Sequence, residues 1–255
     1  MKVLSLNLHC FAEKNIVENQ HTISNFILRN DIDIIFFQEV AQSEQDELVT
    51  EHIRKDNYAL IVQQILEDSK KTYYLHYMFG NLAFGSYQEG LAILSKYKYV
   101  DTAHKFISKK VDYYDWHTRV IVNARIVYNN VDINLYSAHL GWSEGEEVFE
   151  EQIDRLITNH SELTIYAGDF NVYAGSKEYD YIINKGLIDC YYSGDKKYFQ
   201  HPTHIKDLDV QSGENRIDYV FTKRPVKVID RKIVFKDNLV SDHYGVYIEF
   251  EIEEV

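Results

Sequence analysis

The sequence predicts an α/β fold in which two β-sheets pack face to face and helices cover their outer sides. Three observations point there. Strand-like runs far outnumber helix-like runs. The longest apolar run, "IDIIFFQEV", is apolar at nearly every position, the pattern of a strand buried on both faces. The helix-like segments fall between strands rather than together at one end, as layered packing requires. With 255 residues, 45% of them hydrophobic and only two prolines, the chain has the material for one large core. No Pro/Ser/Gly-rich linker divides it, so a single domain over 1–255 is expected.

Taken in order, "KVLSLNLH" reads as the first strand, with Val3, Leu4, Leu6 and Leu8 around Ser5 and Asn7. From Asn15, the positions Ile16, Ile23, Phe26 and Ile27 predict a helix face ending near Arg29–Asp31. "DIDIIFFQEV" follows as a strand buried on both faces. Ser43 is read as the start of a charged helix reaching about His52. The tyrosine-rich stretch 58–90 is ambiguous between short strands and loop. "EGLAILSKY", "TRVIVNARIVY" and "VDINLYSAHL" are strands. Ser143 and Glu146 match a capping box before a helix whose apolar stripe is Phe149, Ile153, Leu156 and Ile157. "LTIYAGDF" is a strand, and a helix from about Ser176 ends at Gly186, a plausible C-cap. "RIDYVFTK" and "HYGVYIEFEI" close the chain as strands.

Composition narrows the function. No run approaches the length of a membrane span, and no signal-peptide pattern precedes the first strand, so a cytoplasmic protein with no membrane partner is expected. Two cysteines, Cys10 and Cys190, read as buried thiols rather than a disulfide scaffold. The net charge of -13 argues against passive binding to a phosphate backbone, as there is no basic tract to release counterions. Nucleic acid is therefore a disfavoured partner, though metals can neutralise a site that lacks such a tract.

The strand ends carry polar residues among apolar neighbours: Asn7, Glu39, Glu89, His139, Asp169 with Asn171, Asp218, and Asp242 with His243. A lone buried carboxylate costs several kcal/mol, so such groups are paired, hydrogen-bonded or metal-bound. Each has a plain structural reading: Glu39 in an arginine pair, His139 as a satisfied core histidine, "SDH" as a helix cap. Together, at the ends of otherwise apolar strands, they form a pattern those readings do not explain. Oxygen donors with histidines and no cysteine suit Mg²⁺ or Mn²⁺ rather than zinc.

"QE", "GDFN", "RIDY" and "SDH", in that order, resemble the endonuclease/exonuclease/phosphatase superfamily over Asn7 to His243. The resemblance implies a four-layer α/β/β/α sandwich of the DNase I-like type, with two mainly antiparallel sheets. It also implies divalent-metal-dependent hydrolysis of phosphate esters at one sheet edge. On this resemblance Glu39 is the principal metal carboxylate, with Asn7 beside it and Asp242 a further metal residue. Asp169 activates the attacking water, and Asn171 orients phosphate and nucleophile. His139 assists the leaving group, with Glu89 as its orienting partner, and Asp218 holds the tautomer of His243.

The substrate is less legible. A small phosphorylated substrate such as a sugar phosphate fits the size and acidity. A DNase-like nuclease would want basic loops, and a sphingomyelinase-like enzyme a signal peptide and an exposed apolar hairpin, for which "HYMFGNLAF" is the one candidate. A non-catalytic binding module would be expected to have lost a site residue. Arg119 is either a clamp on a phosphate oxygen or a partner in an ion pair. Trp142 and the aromatic stretches "TYYLHYMFGNLAFGSY" and "VDYYDWHTR" either rim the site or pack the core. "HPTH", with His201 and His204, is a loop that can approach it.

Overall fold

The computed structural model of the chain describes residues 1–10, 12–142, 147–157, 162–192, 194, 196–205 and 216–252. β1 (Lys2–Asn7) leads through α1 (Ile16–Asn30) to β2 (Ile34–Ser43) and α2 (Tyr58–Asp68). Next come β3 (Tyr74–Ala83), β4 (Tyr87–Ser95), β5 (Asp101–Phe106), β6 (Val120–Tyr128) and β7 (Val131–His139). α3 (Phe149–Leu156), β8 (Leu163–Asp169), α4 (Lys177–Asn184) and the short β9 (Ile188–Asp189) follow. β10 (Asp218–Thr222), β11 (Lys227–Val234) and β12 (Gly245–Glu251) complete the order.

The strands form two six-stranded sheets, β11-β12-β1-β2-β4-β3 and β5-β6-β7-β8-β10-β9. Only β1–β2 and β7–β8 pair in parallel among the described strands. Alternation divides each strand between two cores. Val3, Ile34 and Phe36 of the first sheet meet Val122, Leu135, Ile165 and Val220 of the second in the central layer. Leu4, Leu6 and Phe37 point outward, against Ile23 and Ile27 of α1 and Val62 and Leu66 of α2. On the far side Tyr166, Tyr219 and Phe221 pack with Phe149 and Ile153 of α3 and Ile182 of α4. The result is the four-layer α/β/β/α sandwich, and it explains why its inner strands are apolar at almost every position.

Several local readings need correction. No helix begins at Ser43, which instead ends β2. The charged segment after it has no apolar stripe and is folded by turns, with Asp56 accepting the Ser43 N–H at 2.9 Å. The helix lies later, where Asn57 caps α2 by accepting the Leu60 N–H at 3.1 Å and Ala59, Val62 and Leu66 are buried. The ambiguous stretch 58–90 thus resolves into α2 and the β3–β4 pair. The edge strands β5 and β11 escaped the sequence pattern because they are largely solvent-facing. The Ser143/Glu146 capping box lies outside the described residues, and α3 starts after Val148 with no side-chain cap. Ile157 is extended just beyond the end of α3. At α4 the Ser176 hydroxyl accepts the Tyr179 N–H at 3.2 Å, and Gly186 follows at a φ of 87°.

One charged pair sits deep in the second sheet. Arg216 and Asp189 form an ion pair with side chains 0% and 1% exposed, and the guanidinium lies 4.4 Å from the Tyr219 ring centre. Around it the chain leading into β10 is fixed. Ala174 N–H donates to Arg216 O at 3.0 Å, and Phe170 N–H donates to Ile217 O at 3.0 Å. Removing one partner strands a buried charge. Asp189→Ala is expected to lower unfolding free energy by about 3–5 kcal/mol in urea titrations, and an unchanged midpoint would refute the assignment.

Candidate functional site

Strand register alone brings most of the polar strand-end residues together. Parallel pairing sets His139 of β7 opposite Asp169 of β8, and antiparallel pairing sets Asp218 of β10 opposite the same Asp169. In the other sheet Asn7 ends β1 opposite Gln38, with Glu39 next along β2. A bulge between Phe37 and Val40, with Glu39 at a φ of 49°, breaks the side-chain alternation there. The turn after β8 requires its glycine. Gly168 has a φ of 148°, and a Cβ there would lie 1.9 Å from the Ala138 carbonyl oxygen. That close approach lets β7 and β8 end side by side, and Asn171 then turns the chain at a φ of 52°.

The carboxylates are held by a few short contacts. Asn7 Nδ2 donates to Glu39 Oε1 at 2.9 Å and to Asp169 Oδ2 at 3.1 Å. The amide therefore brackets one carboxylate from each sheet, while its Oδ1 accepts the His9 N–H at 3.1 Å. Asn171 N–H donates to Asp169 Oδ1 at 2.9 Å, and Asn171 Nδ2 donates to Leu140 O at 2.8 Å. Asp218 Oδ2 accepts from His243 Nδ1 at 2.9 Å, which fixes the tautomer and turns Nε2 outward. His139 Nε2 and His243 Nε2 each stand 3.7 Å from Asp169 Oδ2. Three reactive atoms thus border one small space.

Electrostatics separate the two histidines. Burial pulls the His243 pKa down, but Asp218, then Asp169 and Asp242, outweigh it and hold the value at about 10. Burial, reinforced by Arg119 and His243, pushes His139 well below the ordinary range. Its neighbour adds to that effect. Among the described residues His139 Nδ1 faces Arg119 Nη1 at 3.5 Å, not the Glu89 carboxylate expected to orient it. The paired, charged histidine is the one tethered to a carboxylate, His243.

Glu39, Glu89, His139, Asp169, Asn171, Asp242 and His243 line one cleft of about 560 Å³, with Arg119 and Trp142 on its wall. Asn7 and Asp218 stand behind it. Residues beyond those strand ends also reach the cleft: His9, which carried no expectation from the sequence, and His204, Phe84, Tyr114 and Trp116, from stretches expected to approach or rim it. His9, two positions beyond Asn7, holds Nδ1 2.9 Å from Glu13 Oε1 and 3.5 Å from Asp242 Oδ1. His204 of "HPTH" bridges to His243 and places Nε2 3.8 Å from Asp242 Oδ2. His201 instead pairs its Nδ1 with the Tyr191 hydroxyl at 2.8 Å. Phe84, Tyr114 and Trp116 line the cleft mouth and are largely exposed.

The donor set fits a hard divalent cation. Burial, then repulsion from Asp218, raises the Asp169 pKa to about 7. Burial, then Glu39, raises Glu89 to about 7. Asp218 Oδ1 is buried without a hydrogen-bond partner among the described residues. Carboxylates crowded this way are relieved by a positive charge. Asp169, Asp218 and His243 have ligand atoms within 4.8 Å of one another, as do His204, Asp242 and His243, and His9, Glu13 and Asp242. These sets of carboxylate oxygens and imidazole nitrogens, without cysteine, can hold a divalent cation.

Comparison with known proteins bears on the family. No curated protein matches the sequence. Among solved structures the chain is similar to an endonuclease/exonuclease/phosphatase family protein from Leptotrichia buccalis C-1013-b. The two share 30% identity and a TM-score of 0.91, covering 99% of this chain and 100% of that one. It also shares its fold with a mannosyl-6-phosphatase from Bacteroides thetaiotaomicron VPI-5482, at 18% identity and a TM-score of 0.66, covering 99% and 100%. D. rerio TDP2, solved with a single-strand DNA product, gives 15% identity and a TM-score of 0.72, covering 99% of each chain. The profile of the Endonuclease/Exonuclease/phosphatase family matches residues 4–243. With that match spanning nearly its whole length, the chain belongs to the endonuclease/exonuclease/phosphatase family, whose members hydrolyse phosphate esters.

Proposed function

We propose that the protein is a divalent-metal-dependent phosphoesterase that hydrolyses a small soluble phosphate, such as a sugar phosphate, by in-line attack of water. The observation that carries this reading is the convergence of Asp169 Oδ2, His139 Nε2 and His243 Nε2 on one space at the joint edge of both sheets. The N–H of Asn171 occupies Asp169 Oδ1, and Oδ2, which takes the Asn7 amide on one lone pair, has a second with which to accept a proton from an attacking water. His243, tethered to Asp218, presents a fixed N–H to a phosphate oxygen or to the departing oxygen. Glu39, bracketed by Asn7, is the carboxylate we assign to the cation, with Asp242 on the opposite wall. The cation would supply charge neutralisation at the phosphate, which lowers the barrier to approach of a nucleophile. No covalent intermediate on the protein is required.

A small substrate is favoured over nucleic acid by charge and shape. The net charge of -13 opposes a polyanion. Arg119, which is 7% exposed, is the one Lys or Arg among the described residues that line the cleft. A nuclease reading draws on the exposed Phe84, Tyr114 and Trp116, whose rings can stack bases. With one Arg and no Lys lining the cleft among the described residues, that stacking serves a single ring equally well.

Four results would test the assignment. Glu39→Gln should abolish turnover while leaving the melting temperature near that of the parent. EDTA should do the same reversibly, with Mg²⁺ or Mn²⁺ restoring activity, and full turnover in EDTA would end the metal assignment. Asp218→Asn, which keeps an acceptor oxygen but loses the negative charge that raises the His243 pKa, should lower kcat/KM by about 10²–10⁴-fold. Finally, kcat/KM at physiological salt should be higher for sugar phosphates than for plasmid or single-stranded DNA. DNA cleavage at enzyme levels that leave sugar phosphates intact would establish the nuclease instead.

A further inference from the structure

The open space does not end at the catalytic cleft. A second cavity of about 450 Å³, lined by Lys110, Asp115, His117, Glu147 and Gln152, adjoins it. Trp116, Arg119 and Trp142 line both, so a ligand held in one can extend into the other past Arg119. Its volume lies within the range of small-molecule pockets. Two buried polar side chains face it with unused capacity. Arg119 Nε has no hydrogen-bond partner among the described residues. Gln152 is 3% exposed, and its Oε1 accepts the Gly141 N–H at 3.0 Å, which leaves the amide N–H₂ as donor.

Most charges around this cavity are already matched, while Lys109 and Arg119, which also line it, have no carboxylate in ion-pair contact among the described residues. Lys110 Nζ lies 3.2 Å from Asp112 Oδ2 and 3.1 Å from Asp115 Oδ2. His117 Nδ1 lies 2.7 Å from Asp115 Oδ1. Glu147 pairs with Arg155 and accepts the Lys109 N–H at 3.0 Å. A second phosphate would have to compete with Asp112 and Asp115 for Lys110 and His117, and would lie against the carboxylates of Asp115 and Glu147 as like charges. An uncharged ring bearing hydroxyls would not. Its apolar face can lie on an indole, and its hydroxyls can donate to Asp115 and Glu147 and accept from Gln152 and Arg119. A nucleobase has fewer edge groups to satisfy so many partners.

We propose that this cavity is the subsite for the group esterified to the phosphate and that it takes an uncharged polyhydroxylated ring, a sugar, stacked on Trp116. The position of the phosphate beside it rests on the phosphoesterase reading above, whereas the subsite can be measured without turnover.

The chain has two tryptophans, and both line this cavity, so intrinsic fluorescence reports on it. Methyl glucoside, adenosine and pyrophosphate are titrated separately into the full chain. A saturable change with the glucoside is expected. It should be lost in Trp116→Ala, where Trp142 remains as reporter, and weakened in Gln152→Glu, which keeps the acceptor for Gly141 N–H but removes the donors. Trp116 is 59% exposed, so the first variant should fold, and melting curves check both. A response to adenosine or pyrophosphate but not the glucoside overturns the sugar assignment, and no response to any of the three overturns the subsite. In kinetics, Trp116→Ala should reduce the preference for glucose 6-phosphate over methyl phosphate about tenfold. An equal loss on both esters refutes the subsite and leaves the phosphoesterase reading standing. Glucoside binding with no ester turned over refutes that reading and leaves the subsite.

Discussion

Everything at the site depends on holding buried carboxylates close together against their mutual repulsion. Asp169 and Asp218 face each other across one strand pair, and Glu39 and Glu89 approach from the other sheet. Each would cost several kcal/mol if left bare. The protein meets that cost with fixed dipoles and one cation. Asn7 donates to two carboxylates, the Asn171 N–H to a third oxygen, and His243 to Asp218. None of these donors can relax away, because each sits at the end of a strand whose register is locked by packing on both faces. The three cores are thus the frame that makes the electrostatic strain sustainable.

The same constraint explains local features that look costly when taken alone. Gly168 is fixed by the Ala138 carbonyl against which it packs, and the contact aligns His139 with Asp169. Glu39 adopts a positive φ within a bulge, a backbone state that non-glycine residues hold only when their surroundings enforce it. Arg216, buried with Asp189 and flanked by tyrosine rings, stands two residues before Asp218. The Thr203 hydroxyl accepts the Ile217 and Asp218 N–H groups at 3.0 and 3.1 Å. Strain and buried charge gather where the strands must stop on cue.

How much of this was legible in the sequence follows from the range of the interactions. The layered fold was readable because strands buried on both faces leave a continuous apolar signature, as in "DIDIIFFQEV". The site residues stood out because a polar residue ending such a strand is locally anomalous. Less visible were features set by partners distant in sequence. The contact of His139 with Arg119 rather than Glu89 depends on how β6 meets β7, which no spacing encodes. α2 was hidden because its tyrosine-rich surroundings resemble strands, and β5 and β11 because solvent-facing edge strands have no apolar face to detect. His9 had a signal, two residues beyond Asn7 at a strand end, but a lone histidine there reads as turn.

Charge patterning ties the site to its substrate. The chain as a whole repels anions, yet the cleft must attract one. Arg119 and the His243–Asp218 pair supply local positive character, but Arg119 is held by burial below its ordinary pKa and acts over a short range. Such a field captures a single phosphate that has already entered, and it gives no track for a chain of them. Discrimination must then come from what surrounds the phosphate. Here that is an aromatic rim of Phe84, Tyr114, Trp116 and Trp142, beside a cavity in which Lys110 and His117 are paired with Asp115 and Glu147 with Arg155. On the sugar-subsite proposal that neighbour would select for the size and hydroxyl pattern of the alcohol, while His243 would meet the phosphate of every ester alike.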